Sequence, residues 1–119
     1  MSHRILQWNC RGIKPNYNEI LLMLNKHNPS CFCLQETFLK SNDQITFKNY
    51  SIYNHIFENP ERACGGSSII VDNKFPHRKL DLDVKFQAIA VVVRYIGQYV
   101  SALFIYLHHS NLIWKTYST

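Results

Sequence analysis

Acidic residues are scarce in this chain. Eight Asp and Glu stand against thirteen Lys and Arg, a formal net charge of +5 over 119 residues. The imbalance favours a polyanionic partner, nucleic acid before a membrane surface. It also makes each carboxylate informative, because an acid at the end of an apolar strand in so acid-poor a chain needs a reason. Zinc-type cysteine spacing is missing as well. Cys10, Cys31, Cys33 and Cys64 form no C-x-x-C pair, and Cys31 and Cys33 fall on one face of a strand, which argues against a zinc site. No export signal opens the chain: Met1-Ser2-His3-Arg4 runs directly into a strand-like segment. That sets an expectation of the nucleus or cytoplasm, with reduced thiols. A membrane-spanning segment is also lacking. The apolar stretch from 88 to 107 is long enough, but Arg94 inside it would cost roughly 2.5–3.5 kcal/mol at mid-bilayer. Gly97-Gln98 divides it into two β-branched and aromatic halves, the pattern of a tight hairpin. Internal repeats and low-complexity segments are absent. What remains is a chain 46% hydrophobic, too apolar to be disordered and long enough for one core.

The front of the chain reads as a βαβ unit. Arg4 to Trp8 is a short apolar strand ending at Asn9, and Cys10 to Pro15 is a loop containing Gly12. Asn16 is placed to cap a helix, with Glu19 three residues on completing a capping box. Tyr17, Ile20, Leu21 and Leu24 recur at helical spacing, and Pro29 ends the helix. Cys31 to Leu34 is an unbroken apolar run, as expected of a strand covered on both faces. A right-handed crossover makes the two strands parallel, so they end at one edge of the sheet. Asn9 and Glu36, each just past its strand, are then expected at the same rim, where open sheets place their sites.

Beyond Glu36 the chain is polar to Asn49. Tyr50 to Phe57 alternates like a strand, residues 59–66 form a turn-rich break, and Ser67 to Val71 is a further strand. Asp72 to Pro76 turns. Phe86 to Tyr95 and Tyr99 to Tyr106 make the hairpin, and 108–119 is a tail without clear periodicity. Five or six strands come with one helix, too little to cover several strands that are apolar on both faces. Partner layers are therefore missing, and the chain reads as an incomplete domain.

Four segments in order carry a resemblance. They are Gln7-Trp8-Asn9-Cys10-Arg11-Gly12-Ile13, Cys33-Leu34-Gln35-Glu36-Thr37, Arg62-Ala63-Cys64-Gly65-Gly66 with the apolar strand after it, and Ile105-Tyr106-Leu107. Together they resemble the endonuclease/exonuclease/phosphatase superfamily, most closely the endonuclease domain of non-LTR retrotransposons of the jockey kind. The resemblance implies an α/β fold, the incomplete half of a four-layer α/β/β/α sandwich of the DNase I-like type. Residues 1–107 would be the N-terminal half of that domain, and 108–119 a tail that is frameshifted or truncated. It also implies magnesium as cofactor, with manganese as substitute, DNA as partner and a reverse transcriptase domain elsewhere in the parent element. Glu36 would bind the metal, Asn9 would hydrogen-bond within the catalytic centre, and Tyr106 would stand near the scissile phosphate. A single Mg²⁺ carboxylate with water and phosphate oxygens is chemically reasonable.

The departures from the pattern limit this expectation. Tyr106 is followed by Leu107-His108-His109-Ser110 instead of a proline-containing segment, and adjacent strand residues such as His108 and His109 point to opposite faces. The family's Gly-Asp-Phe-Asn and Ser-Asp-His segments do not occur in this sequence. They carry the aspartate that activates water and the histidine that assists attack. The chain is therefore expected to be inactive alone. Two other readings stand beside this one. The first is a non-catalytic nucleic-acid-binding remnant using Lys14, Lys26, Arg62, Lys74, Arg78 and Lys79. The second is a phosphatase acting on inositol or lipid phosphates.

Overall fold

The strand–helix–strand unit expected at the front of the chain is present. The computed structural model describes residues 4–56, 65–81, 88–95, 100–106 and 112–117. Strand β1 (Ile5–Asn9) leads through helix α1 (Tyr17–His27) to β2 (Cys31–Gln35), and β1 and β2 pair in parallel from Ile5 opposite Cys31 to Asn9 opposite Gln35. Strands β3 (Tyr50–His55) and β4 (Ser67–Asp72) complete a first sheet of order β1-β2-β4-β3, in which β4 is antiparallel to both neighbours. A second, wholly antiparallel sheet runs β5 (His77–Leu80), β6 (Ala88–Arg94), β7 (Val100–Tyr106), β8 (Leu112–Tyr117). The hairpin read from 86 to 106 is therefore β6 and β7, while its Gly97-Gln98 turn lies outside the described residues. Among the described residues no helix is long and apolar enough to cross a membrane.

Alternation along the central strands sorts the core into two layers. Cys31, Cys33, Ile69 and Val71 pack with Ile89, Val91 and Val93 between the sheets. The opposite faces, Phe32, Leu34 and Ile70, pack with Ile20 and Leu24 of α1 and with Cys10, Ile13, Leu39 and Phe47. Burying one such large side chain is worth about 1.5–3 kcal/mol relative to exposure. That is why β2 and β4 are apolar on both faces. The layers run helix, sheet, sheet. This is the α/β half-sandwich expected from the sequence, without a second helical layer among the described residues.

Three local readings differ from the sequence-based expectation. The capping box does not form: Asn16 precedes α1 but its side chain makes no cap bond. Its Nδ2 instead donates backwards, to Cys10 O at 2.7 Å and Gly12 O at 2.9 Å. Asn16 thus serves the loop as a donor through Nδ2, and its Oδ1 makes no acceptor bond to the first turn of the helix. Strand β5 has no signature in the sequence, because His-Arg-Lys-Leu carries no apolar alternation; pairing with β6 forms it. The stretch read as an aperiodic tail contains β8, which pairs antiparallel with β7. At the other end of α1, Asn28 adopts the left-handed conformation and its N–H bonds Leu24 O at 3.0 Å, an ordinary αL cap before Pro29.

Candidate functional site

Parallel pairing brings the ends of β1 and β2 to one rim, and the loops after both strands continue the ladder. Cys10 N–H donates to Gln35 O at 3.0 Å, Gly12 N–H to Glu36 O at 2.8 Å, and Ile13 N–H to Thr37 O at 3.1 Å. Asn9 and Glu36 therefore lie at the same edge, as the βαβ reading requires. On the other flank, Thr37 N–H and Phe38 N–H donate to Gly66 O and Gly65 O at 3.2 and 2.9 Å. Glu36 thus sits in a segment held from both sides.

That segment is conformationally strained. Arg11, Glu36 and Phe38 have φ of 50°, 54° and 55°, a left-handed region that costs a side-chain-bearing residue roughly 1–2 kcal/mol. Such strain persists only where surrounding bonds over-determine it, and it concentrates at functional sites. Gly66, at φ 89°, is obligatory: a Cβ there would lie 2.6 Å from Thr37 Oγ1.

The rim also carries a row of polar side chains. Register pairs Asn9 with Gln35, Gln35 with Ser67, and Ser67 with His55, one residue from each strand of the first sheet. Alternation places this row on the face toward the second sheet, with Ile5, Cys33, Ile69 and Tyr53. Gln35 and Ser67 are buried, Asn9 is exposed and Glu36 half-buried. Two buried hydroxyls at this end, Thr37 Oγ1 and Ser67 Oγ, have no hydrogen-bond partner among the described residues. Unsatisfied buried polar atoms are rare and call for an explanation. Burial holds His55 below the usual imidazole value, and the charge of Lys79 adds to this. Burial likewise pushes the Cys10 thiol up, and the charge of Glu36 adds to that. Cys10 Sγ also lies 3.8 Å from the backbone carbonyl of Glu36.

Tyr106 is paired with Ala88. At the far end of β6, Tyr95 Oη bonds Ser30 Oγ at 2.9 Å and Arg94 N–H bonds Pro76 O at 2.8 Å. The end of β6 is thereby tied to the beginning of β2. The opposite end of β6 is Ala88, the register partner of Tyr106. His108, His109, Arg62 and Cys64 lie outside the described residues.

The donor set is small. Among the described residues no cluster of three or more His, Cys, Asp and Glu could hold a metal. One carboxylate at the rim, next in the chain to the ladder pair Asn9–Gln35, is compatible with a hard cation that keeps most of its shell as water and phosphate, the habit of Mg²⁺. The lysines suggested for a general nucleic-acid surface are scattered. Lys14 is ion-paired with Asp43 at 2.5 Å beside the rim, whereas Lys74 is bonded to Asp72 at 3.4 Å at the opposite end. Gln35, Ser67, His55 and Arg11 are not singled out as site residues by the sequence, although Gln35 and Arg11 lie in the segments that carry the resemblance. The first three are united only by β2–β4–β3 register, which no local pattern shows.

Neither a family model nor a curated protein matches the chain. Solved structures do. The chain is similar to the endonuclease domain of TRAS1, a telomere-specific non-LTR retrotransposon, with TM-score 0.67 and 16% identity over 90% of this chain and 46% of that one. It is also similar to the AP endonuclease LMAP from Leishmania major, with TM-score 0.57 and 18% identity over 98% of this chain and 40% of that one. The likeness is one of fold: the chain shares the mixed α/β architecture of these two endonuclease structures. The chain spans less than half the length of either structure.

Proposed function

We propose that this chain carries the metal-binding half of a DNA endonuclease site, with Glu36 as the carboxylate that holds a divalent cation. The observation that carries the reading is the strained, doubly tethered Glu36 at a rim shared with Asn9, in a fold similar to that of two solved endonucleases. A bound Mg²⁺ would supply Lewis-acid polarisation of a phosphodiester and stabilisation of its leaving oxygen. The protein's own part is positional. Glu36 is fixed by the Gly12–Glu36 and Thr37–Gly66 backbone bonds, Asn9 would offer an amide to a phosphate oxygen, and Tyr106 would stand near the scissile phosphate. Activation of the water and assistance to its attack would fall to the Gly-Asp-Phe-Asn and Ser-Asp-His segments that this sequence lacks, so the chain alone is not expected to turn over. The parent protein would be a non-LTR retrotransposon of the jockey kind with a reverse transcriptase domain, acting on DNA in the nucleus or cytoplasm.

The test uses supercoiled plasmid with Mg²⁺ or Mn²⁺ and the chain or its Glu36→Ala variant. Nicking at the no-protein rate, together with Mn²⁺ uptake lost in the variant, is expected. Nicking that survives Glu36→Ala would place the chemistry elsewhere.

A further inference from the structure

The loop between β1 and α1 is built around one residue that it leaves free. Both peptide groups flanking Arg11 are bonded: Cys10 O accepts Asn16 Nδ2 at 2.7 Å, and Gly12 N–H donates to Glu36 O at 2.8 Å. Asn16 Nδ2 also reaches Gly12 O at 2.9 Å, and Asn16 N–H closes onto Ile13 O at 3.1 Å. Gly12, at φ 108°, lets Pro15 close over the loop, since a Cβ on it would lie 3.0 Å from Pro15 Cγ. The result forces Arg11 into the left-handed region at φ 50°. The side chain itself is exposed and has no hydrogen bond or ion pair among the described residues. Lys14, three residues on, has its charge met by Asp43. A guanidinium held on a strained turn, two residues past Asn9 and joined through Gly12 to Glu36, is thus left without a partner among the described residues.

We propose that Arg11 binds a backbone phosphate of duplex DNA beside the Glu36 rim, and that Asn16 is the residue that positions it. A guanidinium is well matched to phosphate, being always charged and offering paired N–H donors to its oxygens. Asn16 acts through the loop, its amide fixing the two carbonyls that bracket Arg11. The proposal rests on reading the rim as a nucleic-acid site but not on metal chemistry.

The test is therefore run in EDTA with the full 119-residue chain, titrating a fluorescent DNA duplex at several salt concentrations by anisotropy. Each phosphate contact contributes about 0.9 to the slope of log affinity against log salt. Arg11→Ala and Arg11→Gly should each reduce the slope magnitude by about 0.9, while Arg11→Lys should keep it. Arg11→Gly guards against misfolding, because glycine accepts this φ without strain and the variant should melt no lower than the parent. Lys48→Ala, at an exposed position beside Asp72 and Asn73 at the opposite end of the sheet, should leave the slope unchanged. Asn16→Ala should weaken binding in the parent and add nothing in the Arg11→Ala background, a coupling that a merely structural loss would not show. A slope unchanged by Arg11→Ala and Arg11→Gly would overturn the proposal, as would additive losses from Asn16 and Arg11. If Mn²⁺ uptake at Glu36 persists meanwhile, the metal-site reading survives and only the role of Arg11 falls.

Discussion

The two ends of the first sheet are made differently. At the end where β2 begins, polar groups are bonded to one another. Ser30 Oγ meets Arg4 O and Tyr95 Oη, Asp72 accepts from Lys74 N–H at 2.9 Å, and His77 bridges Tyr53 Oη at 2.6 Å and Asn73 Oδ1 at 3.0 Å. Burial there pushes the Tyr95 phenol up to about 12, so it remains a neutral hydrogen-bonding group. The left-handed residues at that end are Asn28 and Asn49, a side chain that tolerates the conformation. At the end where β2 finishes, the left-handed residues are Arg11, Glu36 and Phe38, which do not. Two buried hydroxyls there have no partner, and Glu36 and Arg11 have no ion pair among the described residues. One end is built for stability. The other keeps strain and unsatisfied polarity, the pattern of a site whose partners arrive from outside.

The largest stability effect is expected from Gly66→Ala at the open end. It combines a left-handed φ with a Cβ 2.6 Å from a buried, immobile Thr37 hydroxyl, and should cost about 3 kcal/mol in urea unfolding. A wild-type midpoint would mean that the rim is looser than described. Next is Tyr95→Phe at the closed end, which removes one partner of a buried hydrogen bond and should cost about 1–2 kcal/mol without changing metal uptake. Glu36→Gly should work in the opposite direction, raising stability by up to about 1 kcal/mol as the left-handed strain is relieved, while abolishing metal binding. Asn28→Gly, its counterpart at the closed end, should change stability by only a few tenths of a kcal/mol. Equal gains at the two ends would erase the contrast.

The smallest effect is a pH dependence. His55 and His77 are held below the usual 6.5 chiefly by burial, so the folded chain binds fewer protons than the unfolded one. Their contribution is complete above about pH 6.5 and is lost as pH falls through the folded values. The urea midpoint should decrease between pH 7.5 and 5.5, and His55→Gln should flatten that decline. A midpoint that rises on acidification would contradict the assignment.

Much of this is legible in the sequence. The Asn9–Glu36 rim follows from two apolar strands, one helix and the handedness of the crossover, all local signals. The alternation of β2 discloses its two buried faces. Other features are not legible. Asn16 satisfies every local rule for a helix cap, yet the turn of the preceding loop points its Nδ2 at Cys10 O and Gly12 O and leaves the cap bond unmade. The polar strand β5 exists because β6 offers it an edge. The Gln35–Ser67–His55 row depends on register between segments far apart in sequence, which composition and periodicity do not encode. The left-handed φ of Glu36 is hidden for a related reason: nothing in Gln-Glu-Thr announces it, and tethering on two sides imposes it.

The central claim is that a divalent cation sits at the open rim on Glu36. It is tested most directly by adding sub-stoichiometric Mn²⁺ to the ¹⁵N-labelled chain and mapping paramagnetic broadening. Broadening centred on the amides of residues 9–12 and 35–38, sparing 28–30 and 72–74 and abolished by Glu36→Gln, is the predicted result. Broadening centred elsewhere, or unchanged in the Glu36→Gln variant, would contradict it.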